Sequence, residues 1–440
     1  KRISPCHVRL YDFAGACADR PSEPGFKSEP KFTSDLYVVG VNDNVQLATT
    51  LKVEDAKYTS SDTSVATVSE SGYVTGLSVG RATVTLEGFR DGKKVVLNTK
   101  VDVGIPAAAS LNGEEPFIKW EGRYFADEEG VNANNTASGF SVRFFGTRLK
   151  VGIKSAGSNQ PQIAVLVDDE KVPTDRILTF QMQVKSDVYT VIDNLSVGIH
   201  TVRVLKMTEA YTTSVLYTSL ETDGLLLPKP EDKALKIEVY GDSITTGHLN
   251  LRTTLEEPSD KSSNLIQNGL LTYSWLAAQE LDAEISIHAR VGIGMTWSYS
   301  ANYFMKDAYD DAYCSEYNFL NKQNSVWDFE KYVPDIVLIN LGTNDVARTG
   351  GFLVEEYKTA LKNMIYSLNE HYPNVRFVLL SGMMRDTNSP ALDSIVGELS
   401  SGVNISALKL PKAASGHPRV DDNEKAAQAL VDYLKNLMRV

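Results

Sequence analysis

The hydrophobic period changes once along this chain, and that change limits what each part can become. Ahead of Leu227-Pro-Lys-Pro, apolar residues recur at every second position in short runs such as FSVRFFG, LKVGIK and HTVRVLKM. Alternation of this kind belongs to strands with one buried face. Beyond it, continuous apolar runs of five or six residues are separated by stretches of helical spacing, which implies a parallel sheet covered on both faces. With 440 residues the chain has room for two to four domains, each large enough for its own core. A 42% hydrophobic and 23% charged composition is that of a folding chain, not a disordered one.

The alternating half divides further. Residues 1–36, with Pro5, Pro21, Pro24 and Pro30, read as a leader or linker. Residues 37–105 hold the strand-like runs VQLATTLKV, SVATVS, YVTGL and RATVTLEGF. The segment SVATVSESGYVTGLSVGRATVT at 64–85 resembles the group 2 bacterial immunoglobulin-like domain. That resemblance implies a spacer or adhesion module and, by association, a location outside the cytoplasm: secreted, periplasmic or on a bacterial surface. Pro106 and Ala107-Ala-Ala-Ser mark a boundary, after which strands at even spacing over 111–230 predict a β-sandwich of the jelly-roll type. Trp120, Tyr124 and Phe125 are expected in packing roles.

Lys plus Arg number 44 against 56 Asp plus Glu, a net charge of −12, so a polyanion such as nucleic acid is repelled on average. No run of about 20 apolar residues predicts a transmembrane helix. The first residues, KRISPCHVRLYDFAG, lack the apolar core of a signal peptide. Cys6, Cys17 and Cys314 are too few for a disulfide scaffold, although the first two could close a small loop. No metal-ligand spacing appears, so neither metal nor other cofactor is expected. A monomer is expected.

In the second half, strands are predicted at 235–240, across ISIHA, at 335–340 and at 375–380. Helices are predicted at 272–281, 351–370, 391–399 and 422–438. Reactive residues in such a sheet belong beyond the carboxyl ends of its strands, which singles out three loops. Gly241-Asp-Ser243-Ile-Thr places a hydroxyl on a strand-to-helix turn, where it could attack an acyl carbon or merely cap the helix. Leu341-Gly-Thr-Asn344-Asp offers a side-chain amide to a developing oxyanion, or an Asx turn. Ser415-Gly-His417-Pro exposes an imidazole able to take and return a proton. Of six histidines, His417 alone combines a late loop with flanking Gly and Pro; His248, close to Ser243, is the minor rival.

GDSIT, GTND and GHP, in this order, resemble the nucleophile, Asn and His blocks of the SGNH (GDSL-type) hydrolase superfamily over 234–440. WDFEKYVPDIVLINLGTND at 327–345, with GIHTVRVLKMTE at 198–209, is similar to carbohydrate esterase family 2 in particular. The resemblance implies a jelly roll joined to an α/β/α hydrolase domain that removes acetyl groups from polysaccharides such as xylan and glucomannan. Carried over by motif, Ser243 is the nucleophile, His417 the base, and Ser243 N–H, Gly294 N–H and Asn344 the oxyanion donors, with Gly292 the alternative glycine. Trp297 and Asp242 are assigned to substrate contact. The superfamily's Asp three residues before the His is Ala414 here. Some family members orient the imidazole with a backbone carbonyl instead, and a displaced Asp421 or Asp422 is the other option, although both are placed to cap or begin the final helix. The competing functions are a general GDSL lipase or acyl-esterase, and a carbohydrate-binding or adhesion protein with a weak or inactive hydrolase.

Overall fold

A computed structural model describes residues 29–172, 175–255, 263–299, 302–315, 318–320 and 322–438. The expected leader up to residue 28, with Cys6, Cys17 and His7, lies outside these residues; Cys314 is buried and unpaired as a thiol. The expected end of the leader at residue 36 does not coincide with the start of structure. Phe32 is buried in the first domain's core and bridges to Thr49.

That first domain stacks a sheet of Leu36–Gly40, Glu54–Ser60, Gly80–Arg90 and Lys93–Ala108 on a smaller one of Asn44–Gln46, Ala66–Val68 and Tyr73–Gly76. Val39, Val74, Val84, Leu86, Val101 and Val103 fill the space between, each from an alternating position of its strand. The boundary expected at Pro106 is not a break. The strand Lys93–Ala108 runs through it, pairing Gly80–Arg90 with its first part and Thr213–Leu227 with its end. Proline fits there because the parallel neighbour Leu36–Gly40 has already ended opposite Gly104, so no ladder bond is lost on that side.

The sandwich that follows places Gln162–Val167, Gly198–Lys206 and Gly139–Gly146 over Lys185–Ile192 and Leu149–Gly157. Thr213–Leu227 joins the layers, pairing Leu149–Gly157 along its first part and residues 143–145 at its end. Phe140, Val142, Phe144, Val151, Ile153, Val204 and Tyr217 make the core between them.

The third domain carries a five-stranded parallel sheet, numbered here β1 (Lys236–Gly241), β2 (Glu284–Ala289), β3 (Ile336–Asn340), β4 (Arg376–Gly382) and β5 (Ile405–Leu410), in spatial order 2-1-3-4-5. Its helices are α1 (Ser243–Thr246), α2 (Tyr273–Glu280), α3 (Met305–Ala308), α4 (Thr343–Val346), α5 (Val354–His371), α6 (Ser389–Leu399) and α7 (Val420–Leu437). Alternate residues of β3 and β4 face opposite layers: Leu338 and Val378 meet α2 and α7, whereas Val337, Ile339 and Phe377 meet α5 and α6. Strand order reverses beside β1, so the loops after β1, β2 and β3 meet at one switch point.

The sandwich and the third domain are bound by buried polar groups. Arg123, fully buried, donates to Glu238 of β1 at 3.0 Å and to the carbonyls of Tyr309 and Asp311 at 2.7 and 2.6 Å. Arg203 pairs with Glu121 and lies 4.8 Å from the Trp275 ring of α2. Trp120 and Tyr124 pack as expected, Tyr124 meeting Trp327 edge-on across the boundary, and Phe125 stacks on Tyr313. No helix among the described residues is long and apolar enough to cross a membrane.

Candidate active site

β1 delivers its last residue directly into the turn that carries Ser243. A Cβ on Gly241 would lie 2.1 Å from the Thr245 hydroxyl oxygen, so only glycine lets the strand fold into α1 this tightly. Asp242 caps α1, its Oδ1 accepting the Ile244 N–H at 2.9 Å. Ser243 is the first residue of that helix, and its own N–H is among the donors a helix start leaves without an intrahelical partner.

The structure brings His417 to Ser243: its Nε2 lies 2.9 Å from the serine Oγ, across 174 residues of sequence. His248 does not displace it but packs edge-on against its ring, centroids 4.9 Å apart. The remaining described histidines are occupied elsewhere. His288 sits buried on β2 against the Ala308 carbonyl, burial holding it well below the usual imidazole range. His371 stacks on Phe329, and His200 bonds Asp168 and the Ser196 carbonyl within the sandwich.

Neither displaced carboxylate proposed for the imidazole takes that place among the contacts described. Asp422 caps α7, accepting the N–H groups of Arg419 at 3.2 Å and Ala414 at 3.3 Å. Asp421 is half exposed and pairs with Arg419. Asp422 thereby ties the two ends of the loop that carries His417. Arg252 ties its middle, donating to the Ser415 carbonyl. Arg252 belongs to the polar segment 250–268, whose ends are stitched by reciprocal bonds between Asn250 and Asn268.

The loop after β2 supplies the opposite wall. Asp345, next to Asn344 on α4, accepts the N–H groups of Met295, Thr296 and Trp297 at 2.9, 2.7 and 3.1 Å, so it anchors the loop. Burial raises its carboxyl above the ordinary value, and those bonds pull it back. Asn344 Nδ2 donates to the Ile293 carbonyl at 2.7 Å, which uses one of its two amide hydrogens and leaves the other. Gly294 is buried and its N–H already meets Ser298 Oγ at 3.2 Å, so an oxyanion bound there would replace that hydroxyl. Gly292, with φ of 78°, has an N–H that meets no partner among the described residues.

Of the two residues assigned to substrate contact, Asp242 is corrected. It is 0% exposed and spent on capping α1, and burial with the nearby Asp345 pushes its carboxyl up to about 7. Trp297 is half-buried at the loop surface, perpendicular to Tyr299, which is 75% exposed. Among the described residues no three His, Cys, Asp or Glu side chains gather as a metal site. Asp422 caps the final helix as its place there predicts, whereas sequence reasoning missed the anchors Arg252 and Glu209.

Each of the three domains is similar to known proteins. The profile of the group 2 bacterial Ig-like domain matches residues 33–94, that of the carbohydrate esterase 2 N-terminal domain matches 120–230, and that of the GDSL-like lipase/acylhydrolase matches 237–437. The cellulase/esterase CelE of Acetivibrio thermocellus is 29% identical over 341 residues, 73% of this chain and 40% of that protein. An acetylxylan esterase/glucomannan deacetylase of Cellvibrio japonicus is 24% identical over 75% of this chain and 91% of its own. The solved structure of a family two carbohydrate esterase from Clostridium thermocellum, in complex with cellohexaose, is 26% identical with a TM-score of 0.64, covering 73% of this chain and 99% of its own. With an esterase 2 N-terminal profile leading into a GDSL-like hydrolase profile, and an Ig-like module ahead of both, the chain is similar in domain order and fold to the family two carbohydrate esterases.

Proposed function

We propose that this chain is a serine carbohydrate esterase that removes O-acetyl groups from a polysaccharide or oligosaccharide of the xylan or glucomannan kind. The observation that carries the reading is the 2.9 Å contact between His417 Nε2 and Ser243 Oγ, at the mouth of the sheet's switch point. Ser243 Oγ attacks the acetyl carbonyl carbon as its proton passes to His417 Nε2. The carbonyl oxygen becomes an oxyanion that meets Ser243 N–H, the second amide hydrogen of Asn344 and an N–H from the pair Gly292 and Gly294. The intermediate collapses, the carbon–oxygen bond to the sugar breaks, and the sugar oxygen takes the proton from His417. Water then attacks the acetyl-serine, giving its proton to the same nitrogen, and acetate leaves with Ser243 restored. Each well-aimed donor is worth about 3 kcal/mol of barrier. Ala414 and the commitments of Asp421 and Asp422 argue against the expected and the displaced carboxylates as the group that orients His417. The Ig-like module supports placing the protein outside the cytoplasm.

The test is acetate release from acetylated xylan and acetylated glucomannan, beside fatty-acid release from a long-chain ester, with Ser243→Ala alongside. Release from the glycans that disappears in the variant is the expected result. Preference for the long-chain ester would favour a general acyl-esterase, and a folded protein with no serine-dependent release would favour a binding protein.

A further inference from the structure

The sandwich reaches into the candidate site through one buried carboxylate. Glu209 follows the strand Gly198–Lys206, is 2% exposed, and its Oε2 accepts the N–H of Val291 at 2.8 Å, in the loop after β2. Two residues on, Tyr211 holds the preceding side chain of that loop: the Arg290 guanidinium carbon lies 3.8 Å from its ring centroid, with Tyr303 of the hydrolase domain at 5.4 Å. The far end of the loop is the one anchored by Asp345. Between the two carboxylates lie Gly292, Ile293 and Gly294. The segment that offers the oxyanion donors is therefore fixed at both ends, once from each domain.

Glu209 is itself rigidly mounted. Lys206, also fully buried, donates to the carbonyls of Asn134, Thr208 and Glu209 at 2.9, 2.6 and 2.6 Å, which fixes the backbone beneath it. A buried carboxylate is costly unless its acceptor capacity is used. Burial does push the Glu209 carboxyl upward, while Val291 N–H, Arg290, Lys206 and Thr212 pull it back. An apolar side chain could fill the same space. What it could not supply is an acceptor aimed across the domain boundary at one backbone N–H.

We propose that Glu209 is a positioning residue for the hydrolase reaction, a clamp by which the sandwich domain holds the oxyanion loop in register with Ser243. The inference rests on the esterase reading for its catalytic consequence, and its structural part stands apart from it. Glu209→Asp keeps the charge but withdraws the oxygen by one methylene, whereas Glu209→Gln keeps an acceptor oxygen at full reach. Acetyl-ester hydrolysis is measured for both beside the wild type, with amide hydrogen exchange at 291–294 and the thermal midpoint. Displacement of positioning groups on the order of 1 Å can cost 100-fold, so Glu209→Asp is expected to lower kcat about tenfold or more, with KM within about twofold. Exchange at 291–294 should rise about tenfold in the same variant, and Glu209→Gln should stay within about threefold of the wild type in both. An Asp variant with wild-type kcat and exchange overturns the clamp. So does a Gln variant that loses as much as Asp, or a kcat that falls only in proportion to the folded fraction. A wild type without activity would sink the esterase reading alone, because the exchange comparison still decides whether Glu209 holds the loop.

Discussion

Beside the proposed nucleophile, Asp242 shows how a residue inside a motif can serve the motif from a buried position. Its position in GDSIT was legible, but its burial was not, since burial depends on Asp345, Thr343 and the packing around β1. The consequence is a pH effect of defined sign. Folding pushes the carboxyl from its ordinary value of 3.8 up to about 7, so between these values the folded state holds a proton that the unfolded chain has released. Stability from this group is present below about pH 4 and declines as pH rises through 7. Asp242→Asn keeps an acceptor for the Ile244 N–H and does not titrate. Urea unfolding at pH 4.5, 5.5 and 7 should therefore show the variant gaining on the wild type as pH rises, and parallel curves would refute the assignment. Asn344 gives a second prediction at this scale. Asn344→Ala removes a proposed oxyanion donor together with the bond to Ile293, and kcat should fall about 100-fold or more while KM changes little. A loss confined to KM would remove Asn344 from the oxyanion hole.

The loop between β5 and α7 carries His417 without the carboxylate that usually precedes it, and its rigidity comes from its ends. Asp422 bonds the backbone at Ala414 and at Arg419, and Arg252 bonds it at Ser415. Asp422→Ala should cost about 1 kcal/mol of stability as a lost helix cap. It should also lower kcat about tenfold beyond that, because His417 loses its fixed distance to Ser243. Stability loss with unchanged kcat would reduce Asp422 to a cap alone. Elements were legible unevenly, for physical reasons. α5 and α7 are long and strongly periodic, and the apolar runs of β1, β3 and β4 are buried on both faces, so their residues announce them. β5 (ISALKL) was missed because it lies at the sheet edge with half-exposed positions and a lysine, which blurs both patterns. The Arg252 anchor was out of reach because its bond to Ser415 joins residues 163 apart, and no local pattern records it.

Across the whole molecule, the first two domains share a strand, and a buried charge sits where they meet. Asp102, 0% exposed on the strand Lys93–Ala108, accepts from Arg81 of the Ig-like module at 2.6 and 3.0 Å and from Arg143 of the sandwich at 2.9 Å. Arg81 also reaches Glu231, in the connection to the hydrolase domain. The alternating runs made both β domains legible, yet the join was not, because a proline followed by small residues ordinarily ends a strand. Here the ladder on one side has already finished, so Pro106 interrupts nothing. A shared strand and a shared carboxylate predict that the module is a rigid extension rather than a tethered bead. Asp102→Ala would leave two guanidinium groups facing each other with their common partner gone, a change that costs about 3–5 kcal/mol at buried pairs. In scanning calorimetry the wild type should unfold module and sandwich in one transition, and Asp102→Ala should split off a separate early transition for the Ig-like module. The hydrolase contacts around Ser243 involve none of these residues, so kcat at 25 °C should be unchanged. A wild type whose module already melts alone, or a variant that melts as the wild type does, would show that the shared strand does not couple the two domains.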